Sequence, residues 1–178
     1  MQFHTKQGSS IQLQYFTQDQ VSTLSNYLHQ LSPATKQRFA PHGFDEQDIL
    51  QLYQHPSSVV GFTATEALST QIIAYAIINL NLPEYEALRL RNYGIEVNEH
   101  DALFAPSVAD AWQGAGVGTI MLQYIKEAVK KFGVKRLFLW GGVQSSNEQA
   151  LRYYQKQGFE QLGSFEYNGQ NEDMMLLL

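Results

Sequence analysis

Apolar and polar residues alternate along Ile11-Gln12-Leu13-Gln14-Tyr15, which predicts a first strand. The period then changes. Val21, Leu24, Leu28 and Leu31 recur at helical spacing behind Thr17 and Gln20, which have capping-box spacing. Ser32-Pro33 predicts a second helix start, with proline at the first helical position, and Pro41 ends that segment. Residues 45–53 read as a third short helix, stopped by His55-Pro56. Two apolar, β-branched-rich runs at 59–65 and 71–80, joined by a short polar turn, predict an antiparallel hairpin. The stretch 81–98 has no clear period. Residues 102–108 predict a strand whose Pro106 cannot donate to a ladder and so marks a bulge or an edge. Leu122, Ile125, Val129 and Phe132 predict the apolar stripe of the next helix, with Gly133 as its stop. A short buried strand at 137–140 follows. Ser145 and Glu148 again have capping-box spacing, and the helix they predict runs to Gly158. Strands at 159–167 and 173–178 flank an Asn168-Gly169 turn.

Composition narrows the class. The 178 residues suit one domain, 1–178, and an apolar content of 44% supplies a real core. No apolar run approaches the roughly 20 residues that span a bilayer, and the first residues lack the apolar core of a signal peptide. These features, with the absence of cysteine, lead us to expect a cytoplasmic protein with no membrane partner, no disulfide framework and no thiolate metal site. A cysteine nucleophile is excluded. The net charge of −5 argues against general nucleic-acid binding. His4, His29, His42 and His55 have no metal-ligand spacing and read as ordinary surface or core residues, so no metal is expected.

The candidate chemistry begins at Gln113-Gly114-Ala115-Gly116-Val117-Gly118, which precedes the 122–132 stripe. Glycines at the start of a helix leave amides uncovered, and those amides attract anions. A Rossmann loop would need a third glycine where Thr119 stands, and a P-loop would need Gly-Lys-Ser/Thr, which the chain lacks. Alone, the cluster is equally well read as a tight strand-to-helix turn without a ligand. A second pattern follows at a fixed distance: Asn147, Ala150, Tyr153, Tyr154, Gly158 and Phe159 spell Asn-x-x-Ala-x-x-Tyr-Tyr-x-x-x-Gly-Phe. Asn147 and Tyr154 are two helical turns apart and share one face.

Together the Gln-x-x-Gly-x-Gly turn and the Asn-to-Phe motif resemble the GNAT superfamily of acetyl-CoA-dependent N-acetyltransferases. The resemblance is closest over 102–178 and one of pattern only over 11–80. It implies an α+β fold, GNAT-like, with a central mixed and partly splayed sheet of about seven strands flanked by helices. It also implies acetyl-CoA as cosubstrate and direct attack by an amine in a ternary complex. By position, Pro106, Ser107 and Val108 would line the pantetheine arm, with the backbone at Val108 pairing to it like an added strand and polarising the thioester carbonyl. Gln113, Gly114, Ala115, Gly116, Val117, Gly118 and Thr119 would hold the pyrophosphate. Asn147 would bond the arm, and Tyr154 would sit near the sulfur as the acid for the leaving thiolate.

Other roles stay open. The region 140–143 carries no carboxylate where some family members have a glutamate base. The remaining candidates are an ordered water chain or Glu99, His100 and Asp101, each of these three better read as part of a solvated charged turn. The acceptor, a small-molecule or peptide amine, is expected near Arg38-Phe39, the segment 81–98 and the 167–173 turn. In the segment 81–98, Tyr85, Tyr93, Glu84 and Glu86 could clasp a cation. A solvated excursion or a contact in a homodimer explains that segment equally well. A non-catalytic acyl-CoA-binding or sensor module of the same fold is the alternative to an enzyme.

Overall fold

The computed structural model describes residues 2–39, 41–54, 58–67 and 69–178. The chain forms two compact units, one of Met1–Ile78 with Ala105–Ala128, the other of Asn79–Phe104 with Val129–Leu178. The helix stop assigned to His55-Pro56 lies outside the described residues.

In the first unit, β1 (Gln2–His4), β2 (Ser10–Tyr15), β3 (Val59–Glu66), β4 (Ile72–Asn79) and the second half of β5 (Asp101–Val108) lie side by side in that order. The pairs β1–β2 and β2–β3 are antiparallel. Ile11 and Leu13 of β2 are buried while Gln12 is exposed, as the alternation required. Helix α1 (Val21–Gln30) buries Val21, Leu24, Tyr27 and Leu28 on one face. The Thr17/Gln20 box caps a single tight turn that leads into it. Helix α2 (Pro33–Arg38) starts at Ser32, whose hydroxyl accepts the Thr35 N–H at 3.3 Å, and α3 (Glu46–Leu52) follows. Helix α5 (Val117–Val129) buries Val117, Met121, Leu122 and Ile125.

The second unit holds the first half of β5, then β6 (Arg136–Leu139), β9 (Gln170–Leu177) and β7 (Val143–Gln144), with β8 (Glu160–Glu166) also on β9. The β5–β6 pair is parallel and its register runs from Asp101–Arg136 to Phe104–Leu139. Both β6–β9 and β8–β9 are antiparallel. Helix α6 (Glu148–Lys156) leads into β8. Leu90, Leu103 and Phe138 form a buried cluster, with Trp140, Leu162 and Met175 packed against it.

Four differences from the sequence reading have local causes. The short strands β1 and β7 carry too few residues to show a period, and they raise the count to nine among the described residues. The segment 81–98 contains helix α4 (Glu84–Arg91), which opens at Pro83, has Glu84 and Glu86 in its first turn and closes on Arg89 and Arg91. These charges suit the helix dipole, but Tyr85 and Leu88 face solvent at 60% and 50% exposure, so no apolar stripe betrays it. Phe132 is exposed because the helix tightens into a three-residue turn after Val129, which swings it off the stripe before Gly133 stops the chain at φ 75°. The cap of α6 is Asn147, whose side chain accepts from the Ala150 N–H. Ser145 instead donates its hydroxyl to Glu172 at 2.6 Å, a charge-assisted bond that competes with the cap.

Candidate functional site

In the first unit the glycine turn has the backbone that its sequence requires. Gly114 and Gly116 have φ of 77° and 90°, values that favour glycine, and Ile120 N–H bonds the Gly116 carbonyl as the first helical bond. Gly116 is therefore the N-cap of α5, and the amides of Val117, Gly118 and Thr119 lie in the first turn, where no intrahelical acceptor exists. Ala115 is buried beneath the turn, while Gly114 is open, with nothing near the position of a Cβ. Gln113 does not reach out to solvent. Its Nε2 donates to the Val108 carbonyl at 3.2 Å and to the Thr35 hydroxyl at 3.5 Å, tying the turn to β5 and α2.

Asp110 strengthens that tie. Its carboxylate accepts from the Ser32 N–H at 2.9 Å, the Ser32 hydroxyl at 2.7 Å and the Thr35 hydroxyl at 2.8 Å. These donors, led by the Ser32 backbone, hold its carboxyl below the usual range. Lys6 is a residue that the motifs did not indicate. Its N–H donates to the Ala115 carbonyl at 3.1 Å, and its Cγ, Cδ and Cε lie 3.3 to 3.6 Å from where a Cβ on Gly116 would be. The methylene carbons of its side chain are thereby held against the glycine turn.

Strand β5 presents two kinds of residue to this region. Ser107 is 5% exposed, and its hydroxyl accepts from Tyr27 at 3.1 Å and donates to the Tyr75 carbonyl at 3.3 Å. That side chain is spent inside the unit. Pro106 and Val108 are half-buried on the other face. The Ala109 N–H bonds the Ile73 carbonyl, so backbone groups of the same parity turn toward β4. Pro106 and Val108 therefore direct theirs the other way, beyond the last β5–β6 register pair at Phe104. Proline costs no ladder bond there, which resolves its awkward place in a strand.

In the second unit, Asn147 uses Oδ1 as the α6 cap at 3.3 Å, leaving Nδ2 as its donor. Tyr154 is 9% exposed, with its ring edge-on to Tyr153 at 5.1 Å and to Phe159 at 5.2 Å. Burial pushes its phenol far above the ordinary value, with Tyr153 adding to the shift, so the hydroxyl keeps its proton at neutral pH.

A model of the acetyltransferase (GNAT) family matches residues 25–159. The chain belongs to that family. No curated protein matches it in sequence. Among solved structures, the GNAT domain of S. lividans PAT is similar at a TM-score of 0.79 and 21% identity, covering 100% of this chain and 96% of that one. Aminoglycoside acetyltransferase AAC(6')-Ib, solved with coenzyme A and kanamycin, is similar at 0.67 and 21% identity, covering 94% of each chain. A spermidine N-acetyltransferase SpeG chimera from Vibrio cholerae and hSSAT is similar at 0.67 and 19% identity, covering 94% and 95%. These likenesses establish a GNAT fold.

Within this GNAT chain, the carboxylates considered as bases are structural or solvated. Asp101 is 1% exposed and takes a two-pronged bond from Arg136 at 2.6 and 2.7 Å, besides the Asn98 N–H. His100 is exposed, with Nδ1 2.9 Å from the Gly133 carbonyl, and Glu99 is beside it at 3.8 Å. Glu86 is 1% exposed, bonded to Arg89 and to the Gly141 N–H, and so cannot reach out to a cation as its place in 81–98 suggested. His42 is a different case. The sequence reads it as an ordinary surface or core residue, but it follows the Arg38-Phe39 pair expected near the acceptor, and its ring is set among Phe39 and Tyr75. Single-residue spacing gave no sign of it; only packing reveals it.

Proposed function

We propose that the protein transfers an acetyl group from acetyl-CoA to an amine acceptor by direct attack. The observation that carries this reading is the Gly114–Gly116 turn, with positive φ at both glycines, opening α5 in a chain of the GNAT family. First-turn amides and a helix N-terminus suit a pyrophosphate, and the open position of Gly114 leaves room for one. Residues Gln113 to Thr119 hold that group in this reading. Gln113 acts through the shape of the turn rather than by touching phosphate, and Lys6 supplies a cation. Pro106, Ser107 and Val108 line the pantetheine arm in this reading, with Pro106 and Val108 directing backbone groups away from β4, and the Val108 N–H polarises the thioester carbonyl.

Asn147 and Tyr154 take the roles that the family pattern gives them. Asn147 donates from Nδ2 to the arm. Tyr154 gives its proton to the departing thiolate. The absence of cysteine removes an acyl-cysteine route and favours attack within a ternary complex. Small amines are the acceptor class that we favour, because two of the similar structures are named for aminoglycoside and spermidine acetylation.

The test is a pair of measurements on the same protein: calorimetric titration with coenzyme A, and thiol release from acetyl-CoA across polyamines, aminoglycosides and peptides. Binding with turnover of an amine supports the reading. Binding without turnover of any amine, or of water, returns the non-catalytic acyl-CoA module. Failure to bind coenzyme A overturns both.

A further inference from the structure

His42 follows α2, in a stretch, 41–45, that forms neither helix nor strand. Its ring is edge-on to Phe39, with centroids 6.0 Å apart, and to Tyr75 at 5.7 Å. Its Nδ1 lies 2.6 Å from the Gly43 carbonyl oxygen. A carbonyl only accepts, so Nδ1 carries the proton and Nε2 carries the lone pair. That Nε2 is buried and has no hydrogen-bond partner among the described residues. Buried acceptors are nearly always paired, so an orphan of this kind marks a place where something donates.

The neighbouring hydroxyls have the complementary surplus. Tyr53 and Tyr75 place their oxygens 2.7 Å apart, and both rings are buried. One hydroxyl donates to the other, which leaves one O–H proton over. Gly61 makes this arrangement possible, because a side chain there would overlap the Tyr53 hydroxyl. One aromatic cluster thus holds an imidazole that lacks a donor and a hydroxyl pair with a spare one. Phe16 completes it, 4.5 Å from the Tyr53 ring.

We propose that Nε2 of His42 accepts the proton of the acceptor's ammonium group, with Phe39 and Tyr75 as the aromatic walls of that amine subsite. The proposal rests on the acetyl-transfer reading above. An alkylammonium has no lone pair with which to attack. It passes one proton to Nε2, which becomes imidazolium. The freed lone pair forms the C–N bond at the thioester carbonyl, the C–S bond breaks, and the sulfur leaves with its electrons. The attacking nitrogen sheds a second proton, matching the one that the thiolate takes up, and His42 returns its own to water.

The electrostatics agree with this role. Burial lowers the pKa of His42 from its ordinary value, opposed by the bond to Gly43 and by the Asp48 carboxylate. Asp48 is the charged group of α3 that packs against this loop, on the Gly43 side. Asp45 of the same turn is 3.4 Å from His29 instead. From β4 the facing group is Tyr75, with Tyr53 as its partner. The lowered value keeps the imidazole neutral, with its Nε2 lone pair free to take a proton.

Two experiments on the full chain test this. Thiol release is followed against pH with spermidine and butylamine, for the wild type, His42→Gln and His42→Ala, with coenzyme A affinity measured in parallel. The expected result is a loss of at least about a hundredfold in kcat/KM for the amine in both variants. The acid limb of the wild-type profile should disappear, free imidazole should partly rescue His42→Ala, and coenzyme A affinity should stay within about twofold. A kcat/KM within about threefold of wild type overturns the proposal, as does a rate loss with an unchanged acid limb and no rescue. The second experiment needs no variant: nitrogen NMR of the wild-type imidazole during titration with butylammonium. A neutral ring protonated at Nδ1 whose Nε2 resonance moves on titration supports the subsite even if no acetyl transfer is found, which separates this proposal from the reading it rests on. The opposite tautomer, or an Nε2 resonance that does not move, overturns it.

Discussion

Replacing Arg89 with methionine keeps most of the side-chain volume and removes one charge from the centre of the second unit. Arg89 lies between two buried carboxylates: it bonds Glu86, and it reaches Asp173 at 2.7 and 3.0 Å. The side chains of Glu86 and Asp173 are only 2% and 3% exposed, against 15% for Arg89, whose guanidinium also covers the Phe165 ring at 4.0 Å. After the change, Glu86 keeps only the Gly141 N–H of the bonds described, and Asp173 loses both bonds from Arg89. Stranding a buried charge in this way costs about 3–5 kcal/mol. Arg89 is partly exposed, so water can relieve some of the loss, and the lower end, about 3 kcal/mol, is expected. With a urea slope of roughly 2 kcal/mol per M, the unfolding midpoint falls by about 1.5 M.

The loss carries a pH signature. Burial already holds the Glu86 carboxyl above its ordinary value, although Arg89 pulls it down. Without Arg89 its folded pKa rises further above the unfolded value near 4.3. The destabilisation is then complete above the folded pKa and is relieved as pH falls through it, because the folded state takes up the proton first. Urea unfolding followed by tryptophan fluorescence at pH 7.5 and at pH 5.5 should show a smaller deficit at the lower pH, and Glu86→Gln added to Arg89→Met should recover part of it at pH 7.5. A midpoint within about 0.3 M of the wild type, or a deficit indifferent to pH, would refute the reasoning.

Three further outcomes are expected at the functional residues. Gly118→Glu sets a negative charge at the first turn of α5 and should weaken coenzyme A binding at least about tenfold, or 1.4 kcal/mol, by calorimetry on the folded variant; unchanged affinity would remove the phosphate role of the turn. Lys6→Ala should weaken coenzyme A binding by a fewfold and flatten its dependence on salt, since an exposed cation acts through a screened charge; an identical salt slope in both proteins would show that Lys6 only packs on Gly116. Tyr154→Phe should lower kcat while leaving acetyl-CoA affinity nearly unchanged, because its proton acts on a charge that develops only as the thiolate leaves; equal effects from Tyr153→Phe would show that the wrong tyrosine carries the role.

The sequence was most legible where a period or a cap is long enough to be unambiguous. The apolar faces of α1 and α5, the Ser32-Pro33 start of α2, the turn at Asn168-Gly169 and the glycines at 114 and 116 all follow from local chemistry. The illegible parts depend on partners distant in sequence. Helix α4 is held by Leu90 in a cluster with Leu103 and Phe138, and by Arg89 reaching Asp173, so its own residues show no stripe. The inward commitment of the Ser107 side chain shows only once Tyr27, eighty positions earlier, is seen to bond it. Lys6 and His42 lie in short irregular segments whose meaning comes only from Gly116, Phe39 and Tyr75. Asn147 was legible as a motif residue, yet its cap on Ala150 is a purely local role that the motif spacing cannot distinguish from a ligand contact.

The central claim is that the glycine turn of α5 binds acetyl-CoA for transfer to an amine. Its most direct measurement is single-turnover mixing of wild-type protein with acetyl-CoA and spermidine, with thiol release and the acetylated product quantified together, beside the same experiment on Gly118→Glu. The account predicts equal amounts of free thiol and N-acetylated amine from the wild type, and a matched reduction of both in the variant at acetyl-CoA concentrations near the wild-type Kd. Thiol release without acetylated product in any amine tested, or full turnover by the folded Gly118→Glu variant, would contradict it.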